Sequence, residues 1–152
     1  MRISFDLDDT LICDRKEAPW EPNRIPLFLK PWINEPLRLG TRTLIKELKA
    51  SGHEIWIYTT SYRSPCSVRL WLRCYGIQVA GVINQNIHRA HLDRYPGDSW
   101  PSKNPRAFGI DLHVDDSEGV KLEGKKYGFK VVVISPGDCN WNLAVLEAVL
   151  RQ

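Results

Sequence analysis

The chain has 152 residues, 43% hydrophobic and 26% charged, a balance that argues against disordered and membrane-spanning classes and suits one domain over residues 1–152. Its formal net charge of +3 permits anionic substrates but forms no dense basic stripe of the kind nucleic acid requires. Four cysteines, Cys13, Cys66, Cys74 and Cys139, show no CxxC spacing, and no secretory leader or apolar run near about 20 residues is visible. A zinc site is therefore not expected, and a reducing cytoplasmic location is.

Residues 3–5, Ile-Ser-Phe, read as a short buried strand that runs directly into Asp6, Asp8 and Asp9. Were the backbone to stay extended, Asp6 and Asp8 would point the same way, and their repulsion would call for a cation between them. Oxygen donors of this kind suit Mg2+. Thr10 offers a hydroxyl to hold the turn or one of the acids. Residues 15–36 contain five prolines, at 19, 22, 26, 31 and 36, so a loop or small hairpin is expected. Its length suggests a flap, with Trp20, Phe28 and Trp32 and the cations Arg15, Arg24 and Lys30 lining an entrance or pinning it down.

A helix is predicted over residues 41–50, where Leu44, Ile45 and Leu48 share a face and Gly52 follows. Residues 54–59, Glu-Ile-Trp-Ile-Tyr-Thr, give a second buried strand, followed by Thr60 and Ser61. Ser64 and Pro65 open another helix as cap and first residue, with Val68, Trp71, Leu72 and Tyr75 at helical spacing up to Gly76. A third strand is predicted at 79–83, then a polar irregular stretch at 84–101 with a turn at Pro96, Gly97 and Asp98. Further strands are expected at 110–114, ending at Asp115 and Asp116, and at 130–134, with a closing helix at 140–151 after Asp138 as a possible cap.

This alternation predicts a Rossmann-like α/β fold, a parallel five-stranded sheet with helices on both faces. Right-handed crossovers give the strand order 3-2-1-4-5, with the switch point between the first and fourth strands. Ligands bind beyond the carboxyl ends of the strands at such a point. Those ends carry Asp6 and Asp8, Thr59, and Asp115 with Asp116.

Phe-Asp-Leu-Asp-Asp-Thr-Leu at 5–11 resembles the first motif of the haloacid dehalogenase superfamily. The strand ending at Thr59 looks like the second motif, Lys103 is placed like the third-motif lysine, and Asp115-Asp116 resembles the fourth. The resemblance implies a phosphatase with little cap beyond the flap at 15–36. It makes Asp6 a nucleophile that forms an aspartyl-phosphate and Asp8 the general acid and base, its proton retained by neighbouring acids. Thr59 would bind a phosphate oxygen, with Thr60 or Ser61 as alternatives in register. Lys103 would cancel charge, with Arg106 or Lys121 as substitutes. Mg2+ would be held by Asp6, the Asp8 carbonyl and Asp116, with Asp115 in support; Glu118 is the one further acid nearby.

The implied function is Mg2+-dependent phosphomonoester hydrolysis, on a phosphorylated small molecule or an exposed macromolecular phosphate. Two other readings stand beside it. One is a polynucleotide phosphatase, suggested by an open site with Arg63 just past Thr59; the other is a non-catalytic binding domain using the flap on a protein partner, which the sequence does not identify. His53, His88, His91 and His113 are scattered and expected to be structural, His113 facing away from the acids. Asp93, Asp98 and Asp111 read as turn or surface acids.

Overall fold

The computed structural model describes residues 1–94 and 101–152. Five strands, β1 (Arg2–Phe5), β2 (Glu54–Tyr58), β3 (Gly81–Ile83), β4 (Leu112–Asp115) and β5 (Val131–Val133), form one sheet. Its order is β3-β2-β1-β4-β5 and every pairing is parallel, as the crossover rule predicts. The helices are α1 (Thr41–Ala50), α2 (Pro65–Cys74), α3 (Gln85–Arg94), α4 (Glu118–Tyr127) and α5 (Trp141–Leu150).

Alternation along β1 divides the interior. Ile3 and Phe5 face an apolar core shared with Leu44, Ile45 and Leu48 of α1, Val68, Trp71 and Leu72 of α2, and Trp141 and Val145 of α5. Ser4 lies beside Trp56 on one side and His113 on the other, so the opposite face carries polar side chains together with Tyr58, Ile83 and Ile110.

Local chemistry explains the helix starts. Ser64 Oγ accepts from Ser67 N, with Pro65 inside the first turn, as the sequence predicts. Gly40, at the cap position of α1, has no side chain to offer. Glu21, from the proline-rich segment, fills that role: its Oε1 accepts from Gly40 N and Arg42 N, each at 3.2 Å.

Two helices depart from expectation. The stretch expected to be irregular contains α3, which buries His88 and no apolar stripe; its signal is Asn84, whose Oδ1 accepts from Ile87 N at 3.0 Å. The turn expected at 96–98 lies outside the described residues. The sequence pattern predicts no helix where α4 lies, because only Val120 and Gly124 are buried along it. Gly124 is required there: a Cβ would stand 2.6 Å from the Phe129 carbonyl oxygen.

The proline-rich segment is loop with a single turn of 3-10 helix at Leu27–Leu29. A short antiparallel contact anchors it, Glu21 N to Leu37 O at 2.7 Å and Leu39 N to Pro19 O at 2.8 Å. Ile25 and Ile33 enter the core, while Leu27, Phe28 and Trp32 remain exposed. No helix among the described residues is long and apolar enough to cross a membrane.

Candidate active site

The end of β1 begins the site. Asp6 N still donates to Val114 O at 2.9 Å, so Asp6 belongs to the sheet and shares a face with Ser4. The chain then winds sharply. The N–H groups of Thr10, Leu11 and Ile12 converge on Leu7 O at 3.3, 2.9 and 2.8 Å, and Asp9 takes a left-handed φ of 57°. The expectation that Asp6 and Asp8 point the same way is corrected here, because the extended backbone it assumed ends at Leu7.

Asp6 turns inward and Asp8 outward. Lys103 Nζ, on a side chain 3% exposed, lies 3.0 Å from Asp6 Oδ1 and 2.5 Å from Asp115 Oδ2. The first contact is a charge contact without hydrogen-bond alignment, so among the described residues Asp6 Oδ1 is buried with no hydrogen-bond partner. Asp8 instead receives both Arg63 Nη1 and Nη2, at 2.8 and 2.9 Å, and Arg63 Nη2 also reaches Glu35 Oε1 at 3.1 Å. The neighbour of Asp8 is thus a guanidinium.

Asp115 is engaged on both oxygens. Its Oδ2 meets Lys103 and His113 Nε2, the latter at 2.9 Å, and its Oδ1 accepts from Ser117 N at 2.9 Å. His113 Nδ1 in turn lies 2.7 Å from Ser4 Oγ. Burial pushes the His113 pKa down, so the ring is neutral, with Nε2–H donating to Asp115 and Nδ1 accepting from Ser4. His113 therefore faces the acids, against expectation. Period-two alternation carried that signal, since His113 and Asp115 stand two apart on β4.

A second buried brace also lies beyond what the sequence predicts. Tyr58 OH accepts from Asn104 N at 2.8 Å and lies 2.6 Å from His88 Nδ1. Burial lowers the His88 pKa and raises that of Tyr58, so two neutral groups share this hydrogen bond. The residue after Lys103 is thereby tied to β2.

The electrostatics ask for a cation. Burial raises the Asp6 pKa, Lys103 opposes it, and Asp115 adds to it. Asp116 is also raised, by burial first and then by Asp115. Burial works against ionisation of Asp115 too, but the His113 hydrogen bond and Lys103 overcome it and hold that carboxyl well below its ordinary range. Asp6, Asp115 and Asp116 can each offer one oxygen within 4.8 Å of the others. Three carboxylates face one ammonium, and one buried carboxylate oxygen has no aligned donor. An all-oxygen set of this charge fits a hard divalent cation such as Mg2+. Glu118 is outside the cluster, exposed and paired with Lys121 at 3.2 Å.

Thr59 follows β2, its N–H donating to Ile83 O at 2.9 Å and its Oγ1 accepting from Ser61 N at 3.1 Å. Its hydroxyl proton is left free to donate. Ser61 Oγ and Thr10 Oγ1 are buried without partners among the described residues, while Thr60 is exposed. One cluster thus gathers Asp6, Lys103, Asp115 and Asp116; a second joins Asp8, Arg63 and Glu35.

Neither protein-family models nor curated proteins match the sequence. Solved structures do. A HAD-superfamily hydrolase of subfamily IA, variant 1, from Geobacter sulfurreducens superposes with a TM-score of 0.55 at 15% identity, over 97% of this chain and 98% of that one. CbbY from Rhodobacter sphaeroides, in complex with xylulose-1,5-bisphosphate, gives 0.51 at 15% identity, over 88% and 85% of the two chains. The Pnkp1/Rnl/Hen1 complex gives 0.54 at 13% identity, over 90% of this chain but 46% of that one. At these identities the likeness shows the fold: a HAD-like α/β architecture.

Proposed function

We propose that this chain is a phosphomonoester hydrolase that depends on Mg2+ and works through an aspartyl-phosphate on Asp6. One observation carries the reading: a buried lysine, Lys103, is wedged between Asp6 and Asp115 at the sheet's switch point, where fold alone would not place it. A phosphate ester is anionic and repels an attacking carboxylate, so charge must be cancelled first. Lys103 supplies part of that. Mg2+ held by Asp6, Asp116 and the Asp8 carbonyl, with Asp115 in support, would supply the rest by polarising the phosphoryl oxygens.

The chain's own groups divide the work. The Thr59 hydroxyl donates to a phosphate oxygen, and Ser61 and Thr60 stand beside it. An Asp6 oxygen attacks phosphorus as the ester P–O bond breaks, its electron pair leaving on the alcohol oxygen. Asp8 protonates that oxygen, then takes a proton from the water that attacks phosphorus, freeing Asp6 and inorganic phosphate. For this Asp8 must leave Arg63, whose guanidinium is then available to the incoming phosphate.

The test is phosphate release from a panel of phosphomonoesters, including a 3′-phosphorylated oligonucleotide, in Mg2+ or EDTA. Activity should require Mg2+ and fall at least about 1,000-fold in Asp6→Asn while the circular dichroism spectrum is unchanged. Equal turnover by Asp6→Asn would overturn the mechanism. Failure of a folded, Mg2+-binding wild type across the whole panel would overturn the activity.

A further inference from the structure

Beside Asp8 a cavity of about 220 Å3 opens between the proline-rich segment and the start of α2. Its floor is Leu7, Ile33, Val68 and Trp71, all buried, and Trp32 stands at the mouth, 78% exposed. Arg63 and Glu35 form one wall, and Arg63 is bonded to Asp8, so anything within abuts the side chain that holds the group assigned to protonate the leaving oxygen. Resting on the phosphatase reading, we infer that this cavity receives the leaving group of the ester, and that it selects an aromatic or otherwise apolar alcohol over a polyol.

The state of the polar lining decides between those two classes. Ser64 and Ser67 satisfy each other, Oγ to Oγ at 2.8 Å, and Ser64 Oγ also accepts from Ser67 N. The Trp71 indole N–H is spent on Glu35 O at 2.9 Å and Glu35 Oε1 on Arg63, while the exposed Asn34 amide and Glu35 Oε2 are the polar groups of the lining that stay open among the described residues. A sugar or glycerol placed here would exchange water for an apolar floor and for groups mostly already paired, with Asn34 and one Glu35 oxygen too few to satisfy all its hydroxyls. A flat apolar body loses nothing by that exchange. It covers Leu7, Ile33 and Val68 and stacks on the exposed Trp32 ring, which otherwise faces water.

The test compares esters of similar leaving-group basicity, 2-phenylethyl phosphate against glycerol 1-phosphate and ribose 5-phosphate. Wild type should favour the phenylethyl ester at least tenfold in kcat/KM. Ser67→Phe, a substitution at an exposed position that fills the cavity, should abolish that preference chiefly through KM, and Trp32→Ala should reduce it. Wild-type protein hydrolysing the three esters with equal efficiency, or favouring the polyols, overturns the assignment and leaves the phosphatase intact. Full preference retained by both Ser67→Phe and Trp32→Ala, each folded, overturns it in the same way. No turnover of any ester in the wider panel overturns the phosphatase reading and the leaving-group assignment together.

Discussion

Replacing Lys103 by Met removes the ammonium while nearly preserving side-chain volume, so the effect is electrostatic rather than a packing loss. The two contacts, 3.0 Å to Asp6 and 2.5 Å to Asp115, are worth roughly 5–7 kcal/mol each at an effective dielectric near 20, before burial costs are subtracted. Removing one partner from a buried ion pair costs about 3–5 kcal/mol, and that is the loss expected at about pH 7. The loss must also depend on pH. Asp6 has a folded pKa above its ordinary 3.8, so its contribution to stability is whole below that value and disappears as pH rises through the folded pKa. Without Lys103 the main offset to burial of Asp6 is gone, and this loss grows. Asp115 is the reverse case, contributing stability above 3.8 that is lost as pH falls through its depressed value; Lys103 is one source of that depression. The Asp6 effect makes the deficit of Lys103→Met larger at about pH 7 than at about pH 4, while the Asp115 effect, whose window lies below 3.8, adds nearly equally at both. Urea unfolding in EDTA at the two pH values, followed by circular dichroism, measures it. A deficit below about 1 kcal/mol at pH 7, or one that stays constant between the two, would refute this account of the buried cluster.

The adjacent acids should separate cleanly. Asp116→Asn is expected to weaken Mg2+ binding by about tenfold or more in calorimetry while barely altering stability, because that carboxylate is not consumed by internal bonds. Asp115→Asn should instead lose about 3–5 kcal/mol of stability, since its oxygens hold Lys103, His113 and Ser117. Arg38→Met should cost about 3 kcal/mol in urea unfolding, because the carbonyls of Thr10, Ser135, Pro136 and Asp138 all lose the guanidinium that ties them together. Gly124→Ala, which elsewhere in a helix would be mildly favourable, should destabilise by about 1–3 kcal/mol, read as a lowered Tm.

What the sequence makes legible follows the kind of interaction involved. Strand order can be derived because each strand is a short apolar run, and handedness leaves few ways to connect such runs. The convergence of Asp6, Asp115 and Asp116 follows from that order, since all sit where adjacent parallel strands end. The helices α3 and α4 are not legible, because their inner faces rest on a histidine and on a valine with a glycine rather than an apolar stripe. The direction of Asp8 escapes the sequence for a conformational reason: a left-handed Asp9 and a winding centred on the Leu7 carbonyl interrupt the alternation. Arg38 marks a deeper limit. It is 1% exposed, stacks on Trp141, and spends its donors on backbone carbonyls of the segments that follow β1 and β5. A carbonyl acceptor leaves no mark in the sequence, because every residue carries one. Yet these bonds fasten two of the loops that border the acids. Side-chain chemistry is therefore readable where partners announce themselves by residue type. The positioning of the loops is not, because it rests on groups common to every residue and becomes specific only when the chain is folded.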